Sequence, residues 1–340
     1  MATPRPYSPT TSEEQALTIP STIPLFARFP ALAALPRAEL GIFPSPVESL
    51  RLAGMATPLL VKRDDLNAVA FGGNKVRSLE FLLGGLAEGD VVLTVGGEGS
   101  THVLLTAAHT ARLGGVTVAV RWPHEMNATC TAVRDHAARL CARTISSRSP
   151  VTAMVRAQAY RALHRVRYVP LGGSSPLGVL GHVNAALELA EQIARGEVAP
   201  PTFVVVPLGS GGTAAGLALG FALAGLDATV VGARVGPRLM VNRARTLRLA
   251  RRTLALIARL SGRSIPAPPP RLEVHHAAYG GAYGRPLASA GPSEATFVEA
   301  GGPSLDGTYS AKALTAALSV ARERGGRVLF WLTFDARAIS

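Results

Sequence analysis

The sequence predicts an α/β protein of two domains, with parallel sheets covered by helices in a three-layer arrangement. Three observations carry this. Short unbroken apolar runs, strongest at Phe203-Val204-Val205-Val206-Pro207-Leu208, read as strands buried on both faces. The strongest runs feed a glycine-rich loop and then an apolar helix, the order of a parallel α/β unit. At 340 residues the chain is long enough for two hydrophobic cores.

Taken in order, residues 1–20 are rich in Pro, Thr and Ser and read as a mobile arm without the apolar stretch of a secretory signal. Residues 23–50 alternate short apolar pieces with prolines, as in a segment wrapped over a domain. A strand is expected over 58–63 and a turn over 64–67, with Lys62 a strand-end charge. Asn74 is a good N-cap residue, and Val76, Leu79, Phe81 and Leu82 supply the apolar side of the next helix. A strand over 90–95, a glycine-rich loop to His102, a helix over 103–113 and a strand over 116–120 follow. Residues 124–166 are Arg- and Ala-rich and read as helix on the outside. A second glycine-rich turn, 172–178, precedes a helix over 179–195. After the strand 203–208 come an apolar helix and a strand over 228–235. Arginines interleave with Leu and Ile over 238–263, the pattern of a helix with a solvated face. His275 and His276 read as strand residues, since no second ligand pair lies near. The loop 279–286 can carry an aromatic ring to a pocket. A helix runs from about 305 to 322, and the last strand covers 327–333.

Composition limits the function classes. With 48% hydrophobic and 17% charged residues the chain is globular. The net charge of +13 is high, but the basic residues are scattered, and no zinc-finger spacing or RNA-binding aromatic signature accompanies them. No nucleic-acid partner is expected. The two cysteines, Cys130 and Cys141, form neither a metal motif nor a disulfide scaffold, so a reducing, cytoplasmic setting is expected. The apolar stretch 214–226 is too short for a membrane span, and no membrane partner is expected.

Three places carry chemistry. Of 35 basic residues only Lys62, Lys75 and Lys312 are lysines, leaving 32 arginines. Lys75 stands in Phe71-Gly72-Gly73-Asn74-Lys75-Val76-Arg77-Ser78, beside glycines that admit a close approach. An arginine is never deprotonated and forms no imine, whereas a lysine of lowered pKa does. The plain alternative is a surface lysine at a helix start. Gly96-Gly97-Glu98-Gly99-Ser100-Thr101-His102 ends a strand and opens a helix, so the N–H groups of Ser100, Thr101 and His102 would face an anion. Gly209-Ser210-Gly211-Gly212-Thr213 does the same after the strongest strand, and a phosphate is its natural guest. No Gly-Lys-Ser/Thr follows, so this is no Walker loop. A dinucleotide reading with Asp227 as the ribose partner fails because Asp227 precedes its strand. An imine-forming lysine with a phosphate cradle points to covalently bound pyridoxal phosphate, with no metal.

In their order, these loops resemble the D-cysteine desulfhydrase and 1-aminocyclopropane-1-carboxylate deaminase family. The resemblance covers about residues 63–333 and also rests on Gly172-Gly173-Ser174-x-Pro176-Leu177-Gly178 and Leu305-Asp306-x-x-Tyr309-x-x-Lys312-Ala313. It implies the tryptophan synthase β-like architecture, fold type II. Residues 1–77 and 173–340 would form the large cofactor domain and 78–172 the small substrate-loop domain. Lys75 would bind the cofactor covalently and move the α-proton, and Asn74 would lie beside the pyridine 3-oxygen. Gly209, Ser210, Gly211, Gly212 and Thr213 would hold the phosphate, and Ser310 would sit near the pyridine nitrogen. Ser100, Thr101 and His102 would grip the substrate carboxylate, with Ser100, Tyr283 and Tyr309 assisting catalysis. The implied activity is α,β-elimination from a small amino acid to a 2-oxo acid and ammonia, in a homo-oligomer, commonly a homodimer. Departures leave alternatives open. The substrate loop has Gly99-Ser100-Thr101 instead of Gln-Ser-Asn, Ser78 replaces a second lysine, and Phe334-Asp335 replaces a Gly-Gly turn. A β-replacement enzyme of a biosynthetic pathway, or a cofactor-binding paralogue without lyase turnover, also fits these residues.

Overall fold

The computed structural model describes residues 22–339; the arm expected over 1–20 lies outside the described residues. The chain opens with α1 (Pro24–Arg28), β1 (Val47–Leu50), β2 (Leu59–Arg63) and α2 (Asn74–Leu82). Next come β3 (Val91–Gly97), α3 (Thr101–Arg112), β4 (Val116–Trp122), α4 (Ala128–Leu140), β5 (Arg143–Ser146), α5 (Pro150–Leu163) and β6 (Arg167–Val169). Then follow α6 (Pro176–Ala194), β7 (Phe203–Leu208), α7 (Gly212–Ala224), β8 (Thr229–Arg234), α8 (Arg243–Leu260) and β9 (Leu272–His275). The chain closes with α9 (Ala290–Glu299), α10 (Ser310–Arg324) and β10 (Val328–Leu332).

The strands form two sheets. The larger has the order β1-β2-β10-β7-β8-β9, parallel except for β1 on its edge. The smaller, β5-β4-β3-β6, is wholly parallel. Alternation along the strands builds three layers in the larger sheet. Val205, Phe330 and Leu332 pack against Phe297 of α9 and Leu314 and Ala317 of α10. Val204, Val206 and Leu329 face Leu189 of α6 and Leu217 and Phe221 of α7. Helix α7 is apolar all round because it is sandwiched, so the apolar stretch 214–226 is a core helix. Among the described residues no helix is long and apolar enough to cross a membrane.

Close helix packing and a buried ion cluster fix α2. A Cβ on Gly181 of α6 would stand 1.8 Å from the Arg77 carbonyl oxygen, so only glycine permits this approach of α6 to α2. The Arg77 guanidinium donates to Asp64 (2.7 and 2.8 Å) and to both Glu188 oxygens (2.9 and 3.1 Å). Lys62 Nζ donates to Glu188 at 2.6 Å and to Gln192, and the Trp331 indole donates to Asp64 at 2.7 Å. Lys62 is therefore no strand-end charge: it is fully buried and ties β2 to α6. The outer segment 124–166 also differs from the expectation. It contains β5, an exposed four-residue edge strand whose polar sequence has no apolar run to mark it.

Candidate active site

A cavity of about 560 Å³ opens between the two sheets, walled by residues that follow β3, β4, β7, β8 and β10. The carboxyl ends of parallel strands are where α/β proteins bind ligands. Asn74, Lys75, Ser100, Thr101, His102, Gly209 through Thr213, Tyr283 and Tyr309 all line it. Ser310 alone of the expected residues does not. Asp227 lies elsewhere, paired with Arg271 on the surface at 2.5 Å.

Lys75 is the second residue of α2. Gly73, with φ 151°, is the N-cap, which corrects the expectation for Asn74. Both hydrogen-bonding ends of the Asn67 side chain engage Gly73 and set this turn. The Asn74 amide N–H donates to Thr333 O at 3.0 Å, and its side chain donates to Thr213 Oγ1 at 2.7 Å. The lysine helix is thus tied directly to the loop before α7. Burial lowers the Lys75 pKa to about 8, with no opposing carboxylate. Phe334, at the atypical end of the chain, pairs its backbone with Gly73 and packs its ring among Val76, Leu79 and Val103. That segment braces the lysine turn.

The cradle before α7 is made of small residues. Gly211 has φ +90° and is the N-cap of α7. The N–H groups of Ser210, Gly211, Thr213 and Ala214 have no acceptor among the described residues. Gly212 N–H donates to Ser174 Oγ at 3.1 Å, and Ser174 Oγ donates to Ser210 Oγ at 2.7 Å. A Cβ on Gly172 would stand 2.1 Å from Ser210 Oγ. The glycine-rich turn at 172 is therefore part of the cradle.

On the other wall Ser100 is the N-cap of α3. Its own N–H is not free, because it donates to Gly97 O at 3.0 Å. Thr101 and His102 keep the N–H groups without acceptors among the described residues. His102 Nε2 meets Thr94 Oγ1 at 3.0 Å, while the Thr94 hydroxyl donates to Val169 O. Burial, and then the charge of Lys75, hold the His102 pKa at about 3, so this ring is neutral.

His124, which the motifs do not mark, also lines the cavity. Its Nε2 accepts from Gly99 N–H at 3.0 Å, and its ring meets Tyr283 edge-on at 4.8 Å. The available signal was a histidine just beyond a predicted strand end. Arg245, expected on a solvated helix face, reaches the wall from the first turn of α8.

The Tyr283 and Tyr309 hydroxyls are hydrogen-bonded to each other, with rings 5.8 Å apart. Burial pushes both phenols up, so both stay protonated at neutral pH. Asp306 receives the N–H groups of Thr308, Tyr309 and Ser310 and so shapes the start of α10. The Ser310 hydroxyl is buried beside the Asp306 carboxylate and makes no hydrogen bond of normal geometry among the described residues. No cluster of metal-ligating side chains occurs among the described residues.

A half-buried amine facing two walls of free N–H groups is what a covalently held, phosphate-bearing cofactor requires. The sequence pattern of the family described as "Pyridoxal-phosphate dependent enzyme" matches residues 38–333. The chain belongs to this family. It is 38% identical over 323 residues to the nocardicin C-9' epimerase of Nocardia uniformis subsp. tsuyamanensis, covering 90% of this chain and 94% of that one. It is 31% identical over 316 residues to a putative 1-aminocyclopropane-1-carboxylate deaminase of Pyrococcus furiosus, covering 88% and 92%. It is 36% identical over 243 residues to the D-cysteine desulfhydrase of Salmonella choleraesuis, covering 64% and 70%. Among solved structures, an ACC deaminase homologue matches with a TM-score of 0.74 and 28% identity, covering 92% of this chain and 94% of that one. The fold is that of the type II pyridoxal-phosphate enzymes, and the cofactor is pyridoxal 5'-phosphate. The residues fit it. Lys75 offers an amine of lowered pKa, and the cradle offers unengaged N–H donors.

Proposed function

We propose that this enzyme is a lyase or deaminase of small amino acids, of the D-cysteine desulfhydrase or 1-aminocyclopropane-1-carboxylate deaminase type. From a substrate with a β-leaving group it would release a 2-oxo acid and ammonia by α,β-elimination; a cyclopropane amino acid, which has no α-proton, would instead be opened by nucleophilic attack on the ring. The carrying observation is the Lys75 amine on the same cavity as the free N–H groups before α3 and α7. Pyridoxal phosphate, held by Lys75, supplies the electron sink for the pair left at the α-carbon. Gly209 through Thr213 would hold its phosphate, Asn74 would lie beside its 3-oxygen, and Ser310, buried behind the cavity wall, would be the hydroxyl nearest its ring nitrogen. A hydroxyl there, in place of a carboxylate, would leave that nitrogen neutral, which would favour elimination over transamination.

Thr101 and His102 bind the substrate carboxylate through their N–H groups, with the hydroxyls of Ser100 and Thr101 beside them. Lys75 accepts the α-proton. In the cofactor-free protein a pKa of about 8 leaves roughly a tenth of Lys75 neutral at pH 7, the form that can take up the cofactor. The Tyr283–Tyr309 pair, kept protonated by burial, gives a proton to the departing β-substituent. We also propose that residues 78–172 form the small domain and 1–77 with 173–340 the large one, and that a cytoplasmic homodimer is the working form.

The test is a panel of D- and L-amino acids, D-cysteine and 1-aminocyclopropane-1-carboxylate included, assayed for ammonia and 2-oxo acid against Lys75→Ala. Product above that control is expected, and none from any compound overturns the lyase reading. The match to an epimerase over 90% of the chain favours a second reading, epimerisation, with Lys75 and the tyrosines as two proton carriers. Inversion with deuterium uptake at the α-carbon and no ammonia would select it. Ammonia-free capture of an added nucleophile would select β-replacement.

A further inference from the structure

In a chain that uses arginine for nearly all its positive charge, the three lysines have all been drawn inward. Lys62 belongs to the ion cluster and Lys75 to the cavity. Lys312, 0% exposed, belongs to neither. No carboxylate pairs with it among the described residues. The nearby Asp306 receives three backbone N–H groups instead. Lys312 Nζ donates to Tyr279 O at 3.0 Å and to Ala282 O at 3.5 Å. Those carbonyls belong to the loop that carries Tyr283, where Gly280, Gly281 and Gly284 have φ of 66°, 90° and 84°. Beyond Tyr283 the same loop is held by Asn127 Nδ2, which donates to Gly284 O at 2.7 Å. Lys312 is one turn along α10 from Tyr309, so one helix end carries one tyrosine and the cation under the other.

We infer that Lys312 is a positioning residue that gathers the Tyr279 and Ala282 carbonyls and thereby sets the Tyr283 hydroxyl against that of Tyr309. A compact ammonium reaches both carbonyls from a fully buried stem. A planar guanidinium needs more room and a different donor geometry. This inference rests on the reading of the tyrosines as the proton source for the leaving group.

The test uses the holoenzyme, with Lys312→Met, Tyr283→Phe and the double variant. D-cysteine, whose thiolate is protonated as it leaves, is compared with β-chloro-D-alanine, whose chloride needs no proton. Lys312→Met is expected to bind cofactor within about twofold of wild type. Its ammonia release from D-cysteine should fall about ten- to a hundredfold, with release from β-chloro-D-alanine nearly unchanged. Adding Lys312→Met to Tyr283→Phe should cost nothing further, because both act through one group. Hydrogen exchange over residues 279–285 should quicken about tenfold or more in Lys312→Met. Equal losses on both substrates, losses that multiply in the double variant, or unchanged exchange would overturn the inference. If wild type releases no ammonia from D-cysteine, the lyase reading fails on that substrate, and hydrogen exchange alone decides the role of Lys312.

Discussion

Replacing Glu188 by Gln tests what holds the lysine helix in place. The inner cluster sums to zero charge, with Lys62 and Arg77 against Asp64 and Glu188. Arg77 is 1% exposed and Lys62 0%. Burial raises the Glu188 pKa, but Arg77 and Lys62 overcome that and hold it at about 2, against an ordinary 4.5. A difference of roughly 2.5 pKa units corresponds to about 3 kcal/mol. The same order is expected when one partner of a buried pair is removed. A depressed carboxyl pKa contributes stability above pH 4.5 and loses it as pH falls towards 2. Glu188→Gln should therefore be about 3 kcal/mol less stable at pH 7, and the gap should close between pH 4.5 and 2. Urea unfolding of both proteins, followed by far-ultraviolet circular dichroism at stepped pH, measures this. A variant within about 0.5 kcal/mol of wild type at pH 7, or a gap that does not change with pH, would show that the cluster does not hold the Glu188 carboxyl down. Because Arg77 lies two residues beyond Lys75, the variant should also bind cofactor more weakly.

Capture of pyridoxal phosphate by the apoprotein should speed up about tenfold per pH unit below 8 and level off above it, because neutral Lys75 is the nucleophile. Stopped-flow absorbance reads this, and a rate still climbing beyond pH 10 would indicate an unperturbed lysine. Gly172→Ala forces a Cβ at φ 65° to within 2.1 Å of Ser210 Oγ, a strain of about 1–3 kcal/mol. The dissociation constant for pyridoxal phosphate should rise about tenfold, and that for pyridoxal much less, in equilibrium titrations. Ser310→Ala removes a buried hydroxyl that makes no hydrogen bond of normal geometry, so the apoprotein should melt at the same or a higher temperature while cofactor affinity falls. Thermal scans with and without cofactor would show the two opposite signs.

How much was legible differs from loop to loop. β7, its glycine loop and α7 stand out in the sequence because an unbroken apolar run feeds small residues and then more apolar ones. The location of Ser100 is equally plain, but the use of its N–H by Gly97 depends on backbone geometry that no residue type encodes. Asn74 has the chemistry of a cap. The turn built by Asn67 moves it one position into the helix, where its partner, Thr213, lies 139 residues away. Lys62 reads as a strand-end charge because Glu188 and Gln192 are 126 and 130 residues distant. β5 has a polar edge-strand sequence, and helical periodicity puts Arg245 towards solvent. What escaped the sequence is what long-range pairing decides.

The central claim is a covalent bond at one lysine. Reduction of the cofactor-loaded protein with borohydride, followed by peptide mapping, locates that bond among only three lysines. A pyridoxyl group is expected on Lys75 in near one-to-one amount and none on Lys62 or Lys312. A group on either of those two, or an unmodified Lys75 in loaded protein, would contradict it.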